Sequence, residues 1–215
     1  MIKHRISILT LVALIIFFLA GCSVLPASQS GNVLLAESFD DNAGLLQKYT
    51  RDTGSAGVEG GEFTIKVFEQ NYMQWSLVEL SLSDAVIDVS ARKTAGSDDN
   101  IYGVICRYKD DLNFYYLAVT SDGYYGIGRM LNGERTLLGA DQLQPTSAVN
   151  GGTAVNHLRV TCSGSTLSLE VNGQTLQTAD DANLFEGQAG LFAGEFANTG
   201  VEIRFDNLLI TRPGS

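Results

Sequence analysis

Histidine is close to absent from this chain, which carries two in 215 residues. One of them, His4, lies in an N-terminal leader, so His157 stands alone in the rest of the sequence. A zinc site of the usual composition cannot be assembled from one histidine without a Cys/His cluster. Basic residues are scarce as well: Lys+Arg total 14 against 24 Asp+Glu, a net charge of −10. That balance excludes the broad basic face that nucleic-acid phosphates require. No apolar run reaches the roughly 20 residues that span a bilayer as a helix, and no glycine-rich phosphate loop is present. With apolar residues at 45% and charged ones at only 18%, the composition also excludes a disordered chain.

What is present begins with an address. Lys3, His4 and Arg5 form a basic n-region, and Ile6 to Leu19 is an almost unbroken apolar run of signal-peptide length. Leu19-Ala20-Gly21-Cys22 follows, and this run resembles the bacterial lipobox. The resemblance implies diacylglycerol on the Cys22 thiol, cleavage before Cys22, and acylation of the new amino end. The plainer alternative is ordinary secretion with Cys22 an incidental thiol. Residues 1–21 are therefore expected to be a signal peptide and residues 22–32, small and polar with one proline, a lipidated tether. Acyl chains contribute about 0.8 kcal/mol per buried CH₂, so the membrane is an expected partner and the bacterial cell envelope, outside the cytosol, the expected location. Losing the leader removes Lys3 and Arg5 and no acid, which makes the remaining chain more acidic still.

From Val33 onward no long 3.6-residue period occurs; alternation over five to eight residues recurs between turn pairs. Strands are expected at 33–39, 62–68, 74–80, 85–94, 101–108, 113–120, 124–131, 135–138, 156–162, 166–171, 174–178, 189–193 and 201–210. Asn132-Gly133 and Asn172-Gly173 suit two-residue hairpins, because both central residues of a type I′ turn need φ > 0. Ser121-Asp122-Gly123 suits a three-residue one. Closing at Asn172-Gly173 sets Val171 against Gln174, Leu169 against Leu176 and Ser168 against Gln177. A Ser163-Gly164 turn sets Val160 against Leu167, Arg159 against Ser168 and His157 against Glu170. Either slip of one residue would mix the apolar and polar faces. So many strands in one chain imply an all-β, two-sheet antiparallel sandwich over residues 33–212, since one sheet of that size would leave a face uncovered.

The runs YGVICRYKDDLNFYYLAVTSDGYYGIGRMLNG (102–133), NHLRVTCSGSTLSLEVNGQTL (156–176) and GQAGLFAG…VEIRFDNLLI (187–210) resemble the concanavalin A-like jelly rolls. More narrowly they are similar to bacterial laminin-G-like and 3-keto-disaccharide-hydrolase-like domains. The resemblance implies that the opening Phe39-Asp40-Asp41 lies near the closing Phe205-Asp206-Asn207. Such domains are often non-catalytic modules that bind carbohydrate or a surface.

Catalysis finds little to work with. The Glu-x-Asp-x-x-Glu strand pattern of jelly-roll glucanases is missing, and Asp98-Asp99, Asp110-Asp111 and Asp180-Asp181 fall between strands as turn formers. Binding finds more. Trp75, Tyr115, Tyr116 and Tyr125 accompany Arg92, Arg107 and Arg129; sugars stack CH faces on aromatic rings and accept hydrogen bonds from guanidinium groups. A five-residue connection at 109–113 would align Arg107, Tyr115 and Arg129, and a four-residue one would bring Phe114 and Tyr116 beside Arg107. The plainer reading is that these tyrosines close the sandwich edge and the arginines pair with surface acids. His157 is expected in a surface ion pair. No cofactor is expected, although Asp40, Asp41, Asn42 and Asp206 could offer oxygens to calcium if the first and last strands are neighbours. Gly103, Gly126 and Gly128 mark bends or a ligand's close approach. Cys106 and Cys162 form an even pair in an exported chain and are expected to be bridged.

The expected function is non-catalytic binding of a glycan or other envelope polymer. The rivals are a hydrolase acting on a modified disaccharide and an adhesive module for a protein partner of unknown identity.

Overall fold

A computed structural model describes residues 32–41, 44–197 and 200–214. The leader, Cys22, the tether up to residue 31, and Asn42 lie outside the described residues. Among the described residues there are strands and turns and no helix, as the period-2 patterning requires.

Two antiparallel sheets stack face to face. The larger is built from β1 (Val33–Glu37), β2 (Tyr49–Arg51), β3 (Gly54–Glu59), β4 (Glu62–Val67), β6 (Ala85–Ala95), β12 (Asn156–Ser163), β13 (Thr166–Val171), β14 (Gln174–Asp180) and β16 (Val201–Thr211). Its order is β14-β13-β12-β6-β16-β4-β3-β2, with β1 also beside β16. The smaller comprises β5 (Tyr72–Leu82), β7 (Asn100–Asp110), β8 (Asn113–Val119), β9 (Tyr124–Leu131), β10 (Glu134–Leu137), β11 (Gln144–Pro145) and β15 (Gly187–Glu195). It runs β10-β9-β8-β7-β15-β5, with β11 also beside β9. The first and last strands are neighbours, Glu37 opposite Leu208, as the Phe39 and Phe205 segments implied.

Between the sheets lies one core, in which Phe39, Phe63, Ile65, Val104, Leu117, Leu169 and Phe205 are wholly buried. Alternation produces it: Val160, Cys162, Leu167 and Leu169 point inward while Arg159, Thr161 and Ser168 do not. Cys106 of β7 and Cys162 of β12 are joined across the core by a disulfide with Cα atoms 6.8 Å apart.

Several expectations of register are corrected. The β12–β13 turn is Gly164-Ser165, because Ser163 pairs with Thr166, so Val160 faces Leu169 and Arg159 faces Glu170. The slip is two residues, which keeps each side chain on its expected face. On the β13 side Glu170 thus faces Arg159, and His157 lies beside Asn172, whose backbone amide donates to the His157 carbonyl at 2.8 Å; on the β6 side His157 faces Ser90, with Nε2 3.9 Å from Asp88. On the β13–β14 side Val171 meets Gln174 as expected, but a bulge then sets Leu169 against Gln177 and Ser168 against Thr178. The β7–β8 hairpin has neither a four- nor a five-residue connection. Asp110 pairs with Asn113, and β7 instead takes up two extra residues between Cys106 and Asp110, where Arg107 adopts φ 53°. The strands β2, β3 and β11 carry no expected counterpart; Gly54-Ser55-Ala56-Gly57 reads as turn composition but pairs fully with β4.

Candidate functional site

The seven-stranded sheet is apolar on both faces. Tyr102, Val104, Tyr115, Leu117 and Leu191 point into the core. Leu77, Ile105, Phe114, Tyr116, Ala118 and Phe192 form a second cluster on the outer face, which Trp75, Tyr108 and Met130 help to cover. Rings run through it in sequence: Trp75 to Tyr108 at 6.3 Å, Tyr108 to Phe114 at 5.7 Å, Phe114 to Tyr116 at 6.4 Å and Tyr116 to Phe192 at 6.0 Å between centroids. These are tilted and edge contacts of the kind aromatic quadrupoles favour. Two glycines of β9 make room. A Cβ at Gly128 would fall 2.0 Å from Tyr116 Cζ, and one at Gly126 would fall 2.7 Å from Leu143 Cδ2. The close approach expected at these glycines is thus to protein side chains. At Gly103 it is to the Leu117 carbonyl, 2.1 Å from a built Cβ.

Two clefts open along this face. The first, of about 220 Å³, is lined by Tyr49, Arg51, Tyr72, Trp75, Tyr108 and Asp111 among others. The Arg51 guanidinium sits 4.5 Å above the Tyr49 ring. The Tyr108 hydroxyl donates to Asp111; burial first, then that carboxylate, push its phenol well above the ordinary value. Burial likewise pushes Tyr49 up to about 12. Both phenols are therefore neutral hydroxyls at physiological pH. The second cleft, of about 280 Å³, is lined by Ile101, Tyr116, Arg135, Asp141, Leu143 and Phe196 among others. Burial raises the Tyr116 phenol, with the nearby Arg135 opposing.

The candidate residues read from the sequence do not share one place. Trp75 and Tyr116 are on the outer face. Arg107 is 2% exposed and held by the Ser83 carbonyl at 3.0 Å, the Leu184 carbonyl at 3.0 Å and Asp84 at 3.1 Å. Tyr115 and Arg129 are cross-strand partners that both point inward to Asp181, each at 2.5 Å. Tyr115 is pushed up to about 12 by burial and by that carboxylate. Burial would raise Asp181, but hydrogen bonds from Tyr115 and Asn183 and the Arg129 charge outweigh it and hold the carboxyl below its ordinary value. Tyr125 is half-buried against the core. Arg92 lies on the other sheet, where Nε and Nη2 hold Glu62 at 3.0 and 2.7 Å. The partners of Arg92, Arg107 and Arg129 are those of a structural role. Asp40 accepts from Ser38 Oγ at 2.8 Å and Asp206 from the backbone amide of Asn207 at 2.7 Å, both local contacts, the second at an irregularity within β16. Among the described residues no group of three or more acidic, His or Cys ligands gathers.

Sequence reasoning missed Tyr49, Arg51, Tyr72, Arg135, Asp141 and Phe196 as lining residues. One signal was available for this face: β7 and β8 are apolar at both parities, which only a sheet covered on both sides explains.

No family profile and no curated protein matches the chain. Solved structures do. The carbohydrate binding module CBM66 from Bacillus subtilis aligns at TM-score 0.53 and 19% identity, over 77% of this chain and 91% of that one. Bacillus licheniformis beta-glucanase aligns at 0.60 and 11%, over 86% and 100%. A putative glycosyl hydrolase from Parabacteroides distasonis aligns at 0.56 and 15%, over 83% and 100%. The fold is that of these jelly rolls, a concanavalin A-like sandwich.

Proposed function

We propose that the outer face of the seven-stranded sheet binds carbohydrate without turning it over, on a protein held at the bacterial envelope by lipid on Cys22. The observation that carries this reading is the first cleft. There the aromatic side chains of Trp75, Tyr72 and Tyr108 line one opening together with the Arg51 guanidinium and the Asp111 carboxylate. Apolar CH surfaces of a sugar stack on such rings, while its hydroxyls take charge-assisted hydrogen bonds. The similarity to a carbohydrate binding module supports the same reading. Glycoside hydrolysis by the common route needs two carboxylates roughly 5–9.5 Å apart, and each cleft is lined by a single one, Asp111 or Asp141.

The test is affinity electrophoresis and calorimetry of residues 32–215 with mixed-linkage β-glucan, xylan and sialyllactose. Binding by the native protein and a loss of about tenfold or more in Trp75→Ala is expected, since 1.4 kcal/mol is tenfold. Wild-type affinity in that variant would overturn the placement, and release of reducing ends would overturn the non-catalytic role. Labelled palmitate entering the wild type but not Cys22→Ala is the expected mark of the anchor.

A further inference from the structure

The second cleft carries an inference of its own, which rests on the carbohydrate reading above. Ile101, Leu137, Leu143 and Phe196 give it apolar walls, and Tyr116, Arg135 and Asp141 bring polar groups to them. The side chains of these three make no hydrogen bond or ion pair among the described residues. Arg92, Arg107, Arg129, Arg159 and Arg204 are each held by a carboxylate, whereas Arg135, like Arg51 in the first cleft, forms no ion pair among the described residues. Arg135 and Asp141 are both exposed where they line this apolar cleft, so their charged groups are open to a ligand seated in it. An apolar pocket with a few convergent polar groups is the usual form of a ligand site.

The charges say what kind. Each cleft brings one arginine and one aspartate, Arg51 with Asp111 in the first and Arg135 with Asp141 in the second. A strongly anionic or cationic ligand would satisfy one member of each pair and face repulsion from the other. A neutral hydroxyl-rich ring satisfies both, accepting from the guanidinium and donating to the carboxylate. The clefts also lie at opposite ends of one strand. Tyr108 of β7 lines the first and Ile101 of β7 the second, seven residues apart on a strand that bulges after Cys106, or roughly 20 Å at a strand rise of about 3.3 Å per residue less the bulge. Between them Phe114 and Phe192 are 1% and 0% exposed, so the two openings are separate.

We infer that the second cleft is a distinct saccharide site, and that the two clefts grip one neutral polysaccharide at two points along the outer face. Linked binding events raise the apparent affinity of a polymer well above that of either site alone.

The experiment uses the trisaccharides of mixed-linkage β-glucan and xylan beside the parent polymers. Two trisaccharides per protein are expected, falling to one in Arg135→Ala/Asp141→Ala and to one in Trp75→Ala. Each variant should lose at least tenfold in apparent polymer affinity. Arg135 and Asp141 are exposed, so the double substitution leaves the core intact, and unchanged circular dichroism checks it. One trisaccharide per wild-type protein overturns the second site. So does a double variant that holds polymer as tightly as wild type, and if Trp75→Ala still fails in that case, the first-cleft reading survives alone. Binding of no probe, or binding indifferent to both variants, overturns both readings together. Preference for alginate over the neutral polymers would overturn the charge argument.

Discussion

Tyr116 on β8 lies across Gly128 on β9: the two are cross-strand partners, and the phenol ring occupies the space a side chain at 128 would need. Gly128→Ala is therefore expected to cost about 1–3 kcal/mol, the range for overpacking, and to displace the Tyr116 ring that lines the second cleft. Urea unfolding measures the first effect. Saccharide stoichiometry falling from two to one measures the second, and a variant as stable as wild type would contradict the placement of the ring.

The disulfide joins strands of opposite sheets across a sequence separation of 56. A closure of that length restricts the unfolded chain by about 4 kcal/mol in the chain-entropy account. For a domain of this size, where 1 kcal/mol moves Tm by about 2–4 °C, Cys106→Ala/Cys162→Ala should melt roughly 10 °C lower. Because both sulfurs face the core and neither lines a cleft, its saccharide affinity below the transition should match wild type.

Arg107 behaves differently from what its chemistry suggests. Its guanidinium ties the β5–β6 turn at Ser83 and Asp84 to the segment before β15 at Leu184. Arg107→Met leaves the buried Leu184 carbonyl unpaired and removes the bonds to Ser83 and Asp84; it should cost about 3 kcal/mol, with saccharide binding retained at temperatures where the variant is folded. A selective loss of binding at full stability would place Arg107 at the ligand instead.

The sandwich was legible because alternation is a local property: Leu158, Val160, Cys162, Leu167 and Leu169 mark an inner face in any register that keeps parity. The site was less legible because its parts depend on irregularities. The positive φ at Arg107 lets β7 take up two residues that no pattern of apolar spacing signals, and it turns the arginine into the interior. Tyr115 and Tyr116 are chemically equivalent in the sequence, yet parity sends one to Asp181 and the other to the outer face. Arg51 and Asp141 sit on a strand and a loop whose compositions read as turns, and only the tertiary fold brings them beside aromatic rings.

Asp181 sets an acid limit on stability. Its carboxyl lies below its ordinary value in the folded protein, because hydrogen bonds from Tyr115 and Asn183 and the Arg129 charge outweigh its burial. A group whose folded pKa is depressed contributes stability that is complete above its unfolded value, near 4, and lost as pH falls through the folded value. Glu62, bonded by Arg92, is lowered too, as is Glu202, where burial is outweighed by hydrogen bonds from Thr94 and Arg204 and by the Arg204 and Lys66 charges, so wild type should weaken steeply below about pH 4. Asp181→Asn isolates one contribution. The stability gap between it and wild type should be constant from pH 7 to pH 5, near 3 kcal/mol for a largely buried ion pair. It should then narrow as the wild-type carboxyl protonates below about pH 4. Urea midpoints at pH 7, 5 and 3 decide it: a gap that stays constant to pH 3, or widens there, would mean that Arg129 and Tyr115 do not hold an ionised Asp181.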